Sequence, residues 1–236
     1  MQPFRLTPAC KDYLWGGTRL KTAYGKRPAL PVLAESWELS AHPDGDGVIA
    51  CGEFAGTPFS RFAAEHPEAL GGNCAGAKEF PILIKLIDAY DNLSVQVHPD
   101  NDYALRVEGE YGKTEMWVIV DAEPGASLLY GFRDRLTREE FRRRIEENTL
   151  LEVVNRVPVR KGDVFFIEAG TLHAIGKGIL IAVLARGGDI IIPEGSSSIQ
   201  EGDSVILISR DLRILDLNDI YEDEGAFPVQ GGSNEH

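Results

Sequence analysis

Apolar positions along this chain come in short runs rich in Val and Ile, and Gly, Pro and Asp punctuate them. That texture predicts strands joined by turns. The predicted strands are SWELSAH (36–42), ILIKLIDA (82–89), LSVQVH (93–98), EMWVIVDA (115–122), SLLYGF (127–132), DVFFIEA (163–169) and ILIAVLA (179–185). A Gly-Asp turn opens the strand in VRKGDVFFI (159–167), and IQEGDSVILI (199–208) uses the same turn again. Helical periodicity is rarer. TREEFRRRIEEN (137–148) begins on Thr137 with Glu140 three residues on, the pattern of a capping box. Phe141 and Ile145 then form an apolar stripe, and Glu139–Arg143 and Glu140–Arg144 are spaced as ion pairs. TPFSRFAAEHPEALG (57–71) is a second helical candidate, broken near Pro67, with His66 expected exposed at its polar end. Many short strands and few helices predict a mainly β fold, a sandwich or jelly roll with short helical insertions.

Composition narrows the partners. The 236 residues are 43% hydrophobic and 26% charged, enough for a sizeable core in one large or two small domains. The net charge of −13 argues against nucleic acid, because a phosphodiester backbone would be repelled. A small phosphorylated ligand stays possible, since it needs only a local cluster of positive groups. No apolar run approaches the roughly 18 residues of a membrane span. The start, MQPFRLTPACKDYLWGG, lacks the charged and apolar regions of a secretory signal. Three cysteines, Cys10, Cys51 and Cys74, form no CxxC pattern, so a reduced, cytoplasmic setting is expected. GKGILIAV (176–183) is no dinucleotide fingerprint, because Ile181 stands where the third glycine belongs.

Candidate chemistry gathers around two histidines. His42 precedes a proline and His236 is terminal, which leaves His98 and His173 as the internal candidates. Gln96 and His98 share a face by strand alternation. Lys113 and Glu115 share one in the next strand, and antiparallel pairing of 93–98 with 115–122 would bring Glu115 close to Gln96 and His98. His173 follows a strand in EAGTLHAIGKG. Two imidazoles, one carboxylate and one amide oxygen suit a divalent transition metal, Zn²⁺ above all. Spacing leaves blander readings open: His98 as a turn histidine, and Glu115 as a surface partner of Lys113.

Longer motifs carry a resemblance. LTPACKDYLWGG, ESWELSAHPDG, FPILIKLIDAYDNLSVQVHPDNDYA, GKTEMWVIVDAEPGASLLYGF and VRKGDVFFIEAGTLHAIGKGILIA resemble, in order, type I mannose-6-phosphate isomerases of the short bacterial form over residues 3–182. The resemblance implies a cupin, a double-stranded β-helix, with one zinc held by Gln96, His98, Glu115 and His173. It implies interconversion of mannose 6-phosphate and fructose 6-phosphate through a cis-enediol. Lys113 would line the pocket as a catalytic group, and Ser94 and Lys85 would help bind the hexose 6-phosphate or its phosphate.

Beyond residue 182 the chain departs from that family. Ten residues after His173 the family has a glutamate and this chain has Val183; twenty residues after it the family has an arginine and this chain has Pro193. Arg186 and Arg210 are the nearest basic candidates, and neither matches the motif. ILIAVLARGGDIIIPEGSSSIQEGDSVILIS is similar to half of the ligand-binding domain of potassium-uptake regulators. The expected organisation is a zinc-binding cupin unit (1–182), an atypical β-rich tail (183–220) and a disordered end (221–236), with the C-terminal cupin half missing or replaced. Losing the arginine implies impaired turnover. The exposed sheet edges imply self-association. A non-catalytic metal- or sugar-phosphate-binding cupin is the alternative, and a potassium-transport regulator rests on the tail alone.

Overall fold

The structure, a computed structural model, describes residues 3–70 and 80–187. Its elements run β1 (Leu6–Thr7), β2 (Ala9–Lys11), α1 (Arg19–Thr22), β3 (Glu35–Leu39), β4 (Val48–Ile49), α2 (Phe59–Glu65), β5 (Ile82–Ala89), α3 (Asn101–Val107), β6 (Lys113–Ala122), β7 (Ser127–Phe132), α4 (Arg138–Glu146), β8 (Val154–Pro158), β9 (Val164–Ile167), β10 (His173–Ala174) and β11 (Ile179–Gly187). Six strands form one antiparallel sheet in the order β2-β3-β5-β11-β6-β9. Three more form a second sheet, β10-β7-β8, and β1 pairs with β4. The mainly β expectation holds. None of the described helices is long and apolar enough to cross a membrane.

β11 explains the centre of the larger sheet. It lies between β5 and β6, so both its edges are paired and both its faces are covered. Alternate residues therefore enter different cores. Ile179, Ile181 and Val183 pack with Ile87, Trp117, Ile119 and Ile167, while Leu180 packs with Leu20 and Leu33 on the other side. Full burial of a side chain such as Ile181 contributes about 1.5–3 kcal/mol. The unbroken apolar run ILIAVLA follows from this two-sided burial.

Most predicted elements stand where the pattern put them; ILIKLIDA and SLLYGF coincide with β5 and β7. The Gly-Asp turn is present, with Gly162 at φ 91 and Asp163 Oδ2 accepting from Arg160 N. The second such turn, at 199–208, lies outside the described residues. Four expectations need correction. Segment 93–98 is extended but makes only an isolated bridge, Gln96 to His173, and does not pair with β6. Both edges of β6 are already taken, by β11 and β9, so no ladder was open to it. In α4, Thr137 Oγ1 caps the amide of Glu140 as expected, but Glu140 rather than Glu139 takes Arg143 as well as Arg144. Only Phe141 of the expected stripe reaches a core, against Phe132; Ile145 is 53% exposed. His66 is half-buried, not exposed, because its ring packs on Phe54 and Phe62 at the end of α2.

Candidate metal centre and its pocket

Strand alternation sets out the first part of the site. On β6, Lys113, Glu115 and Trp117 share the face that looks into a cavity of about 280 Å³. Glu115 is buried, and each of its oxygens is occupied. Lys113 Nζ lies 2.7 Å from Oε1, and Trp117 Nε1 donates to Oε2 at 2.8 Å. His98 Nε2 approaches Oε1 at 3.5 Å.

The histidines arrive on segments tied to each other by backbone. Leu93 N donates to Ile175 O, Gln96 and His173 exchange two bonds at 2.8 and 2.9 Å, and Gly170 N donates to His98 O. The sequence HPD then turns the chain away, because the Asp100 side chain caps α3 by accepting from Tyr103 N. Lys113 N donates to Pro99 O, so the entrance to β6 runs directly beneath this turn. Gly112 permits that approach: a Cβ there would collide with the Asp100–Asn101 backbone.

The outcome is a compact donor set. One ligand atom each from His98, Glu115 and His173 lies within 4.8 Å of the others. His173 Nδ1 lies 2.8 Å from the carbonyl of Thr171, to which it can only donate; its Nε2 lone pair stays free. Burial, reinforced by the positive Lys113, pushes the His98 imidazole down to about 4, against the pull of Glu115. Burial lowers His173 too, with the Thr171 carbonyl opposing. Burial works to raise Glu115, but Lys113, His98 and the Trp117 N–H outweigh it and hold the carboxyl below its ordinary value. At neutral pH the site therefore offers two neutral imidazoles and one carboxylate, the protonation state in which these groups bind a divalent metal.

The remaining candidates fall around the same cavity. Gln96 and Ser94 line it, with the Gln96 amide nitrogen donating to Ser94 Oγ at 3.2 Å, so the Gln96 oxygen keeps its lone pairs. Lys85 lines it from β5 and Lys113 from β6. Val183 forms apolar wall between them, in register with Lys85 on one side and Trp117 on the other. Arg186 enters the β11 ladder opposite Ile82 and Thr114 through its backbone. Pro193 and Arg210 lie outside the described residues.

The lining residue Glu35 and its hydrogen-bond partner Trp37 escape a search guided by histidines. Glu35 and Trp37 stand in β3, with Trp37 Nε1 donating to Glu35 Oε2 at 2.6 Å and Lys85 Nζ 3.1 Å from the same oxygen. ESWEL repeats the Glu-x-Trp spacing of EMWVI at 115–117, and that repetition is the signal that could have found them.

Known proteins resemble this chain in sequence and fold. The curated mannose-6-phosphate isomerase of Streptococcus mutans is 40% identical over 188 residues, 80% of this chain and 58% of that protein. Mannose-6-phosphate isomerase ManA of Bacillus subtilis is 39% identical over 189 residues, 80% of this chain and 59% of that protein. The chain thus spans less than two thirds of the relatives it matches. Among solved structures, the mannose 6-phosphate isomerase from Bacillus subtilis superposes with a TM-score of 0.74 at 34% identity, over 80% of this chain and 60% of the other. A variant of the phosphomannose isomerase from Salmonella typhimurium has the same fold at 18% identity, with a TM-score of 0.60 over 78% and 68% of the two chains. These neighbours bear out the cupin expectation, although the sheets of the described residues do not close. The likeness of the tail to potassium-uptake regulators finds no support among these matches. The family description "phosphomannose isomerase type I, catalytic domain" matches residues 3–123, and with the relatives above it shows that the chain belongs to that family.

Proposed function

We propose that this chain is a zinc-dependent aldose–ketose isomerase that interconverts mannose 6-phosphate and fructose 6-phosphate. The observation that carries the reading is the His98–Glu115–His173 donor set, of which Glu115 and His173 line a cavity that also presents Lys113 and Lys85. Gln96 supplies the fourth protein donor in this reading. A bound Zn²⁺ would act as a Lewis acid, polarising sugar oxygens.

Isomerisation moves a proton between C1 and C2 through a cis-enediol, and negative charge grows on oxygen as it leaves carbon. Lys113 answers that charge: Glu115 holds its Nζ in the cavity, where a fixed donor stabilises an oxyanion more strongly than water does. Trp117 and His173 meet edge to face at 5.3 Å, which keeps the imidazole from turning. Ile175, Val183 and Trp117 supply apolar wall that limits water near the reacting carbons. Ser94 and Lys85 supply donors for the rest of the hexose 6-phosphate.

A second reading rests on Val183. An apolar side chain stands in the pocket wall where the family resemblance calls for a carboxylate, and this favours a chain that binds metal and sugar phosphate with little turnover. One experiment separates the two: coupled detection of fructose 6-phosphate from mannose 6-phosphate, with zinc content measured on the same sample. Turnover that tracks zinc supports the isomerase. One zinc per chain without turnover leaves only the binding protein, and absence of zinc binding removes both.

A further inference from the structure

The pocket carries one three-residue arrangement twice. On β6, Trp117 Nε1 and Lys113 Nζ hold the two oxygens of Glu115 at 2.8 and 2.7 Å. On β3 and β5, Trp37 Nε1 lies 2.6 Å from Glu35 Oε2, and Lys85 Nζ lies 3.1 and 3.3 Å from the two Glu35 oxygens. His98 and His173 attend the first, while His42 packs edge to face on Trp37 of the second, with ring centroids 5.7 Å apart. Trp37, Lys85, Val183 and Trp117 are cross-strand partners in one row over β3, β5, β11 and β6. Lys85 and Trp117 are two strands apart, roughly 10 Å, and both line the same cavity with Val183 between them.

We propose that Glu35 is a positioning residue for substrate that acts through Lys85, fixing its Nζ as a hydrogen-bond donor to ligand oxygens in the cavity that both residues line. The inference rests on the function proposed above. Glu35 is 5% exposed, and a carboxylate so placed is tolerated only when its partners satisfy it. An apolar pair would fill the same wall without that desolvation penalty. Lys85 alone would sample many rotamers of a flexible stem. Glu35 restrains it, the Trp37 ring lies 5.6 Å from its Nζ, and the Trp37 N–H fixes Glu35 in turn. The donor is thus ordered before a ligand arrives, which lowers the entropic penalty of binding.

The opposing role, simple neutralisation of a buried lysine, predicts the other sign. Glu35→Gln keeps the shape and removes the charge. If Glu35 positions Lys85, the zinc-loaded chain carrying Glu35→Gln binds fructose 6-phosphate at least about tenfold more weakly in calorimetry, the loss of one charge-assisted hydrogen bond. Glu35→Asp recovers part of that loss, and Glu35→Gln adds nothing in a Lys85→Met background. Zinc stays at one per chain throughout. Binding that is unchanged or tighter in Glu35→Gln, or a loss that simply adds to that of Lys85→Met, overturns the proposal. Calorimetry reads binding whether or not the chain turns over. Failure of the unmodified chain to bind removes the isomerase reading and this inference together; normal binding by both forms removes this inference alone.

Discussion

Glu115 is buried at 4% exposure and remains a carboxylate because Lys113, Trp117 and His98 surround it. Removing its charge affects the metal first. Glu115→Gln is expected to lower zinc affinity by at least about a hundredfold, measured by competition with a chelating dye. His98 gives a pH signature. Its imidazole sits at about 4 in the folded protein against 6.5 ordinarily, so the unfolded chain takes up the proton first as pH falls. The stabilising contribution is complete above pH 6.5 and is lost as pH falls towards 4. The urea midpoint of metal-free protein should drop through that window, and His98→Gln should flatten part of the drop. His173 is shifted in the same direction and accounts for part of what remains.

At the scale of elements, the site depends on how closely the entrance to β6 passes under the HPD turn. Gly112→Ala would push Lys113 and Glu115 away from His98, because the new methyl group meets the Asp100–Asn101 backbone. Weaker zinc binding with far-ultraviolet circular dichroism unchanged is the expected result. A cap remote from the site behaves differently: Thr137→Ala should remove about 1 kcal/mol by freeing the Glu140 amide at the start of α4, and leave zinc affinity alone. The strands β5, β6, β7 and β11 were legible because their apolar runs are bounded by turn residues and buried by sheet partners. Segment 93–98 alternates equally well, yet is no ladder strand, because alternation does not reveal whether a neighbouring edge is free.

For the molecule as a whole, the donor set joins three stretches distant in sequence: the HPD turn, β6 and β10. A metal that binds only the folded arrangement stabilises all of them together. Free zinc at a hundredfold above its dissociation constant should add about 2.7 kcal/mol, so chelation should lower the melting temperature and added zinc restore it. The chain spans 58% of the Streptococcus mutans relative, and its tail beyond Gly187 lies outside the described residues. The coupled assay on this chain therefore tests whether the portion present suffices for turnover.

Sequence by itself determined the mainly β class, the capped helix, the family through its long ordered motifs, and the residue types of the candidate donors Gln96, His98, Glu115 and His173. Residue type, periodicity and motif order are local properties that a linear chain displays directly. Tertiary structure decided how those donors meet. His98 reaches Glu115 through backbone bonds to the 170–175 segment and the Pro99–Lys113 bond, not through strand pairing with β6. It also decided that Glu35 and Lys85 face the same cavity as Glu115 and His173, since β5 and β11 must lie between β3 and β6 to place them there. Burial and strand order arise from contacts between residues far apart in the chain, and burial sets the protonation of both histidines and the partners of both carboxylates.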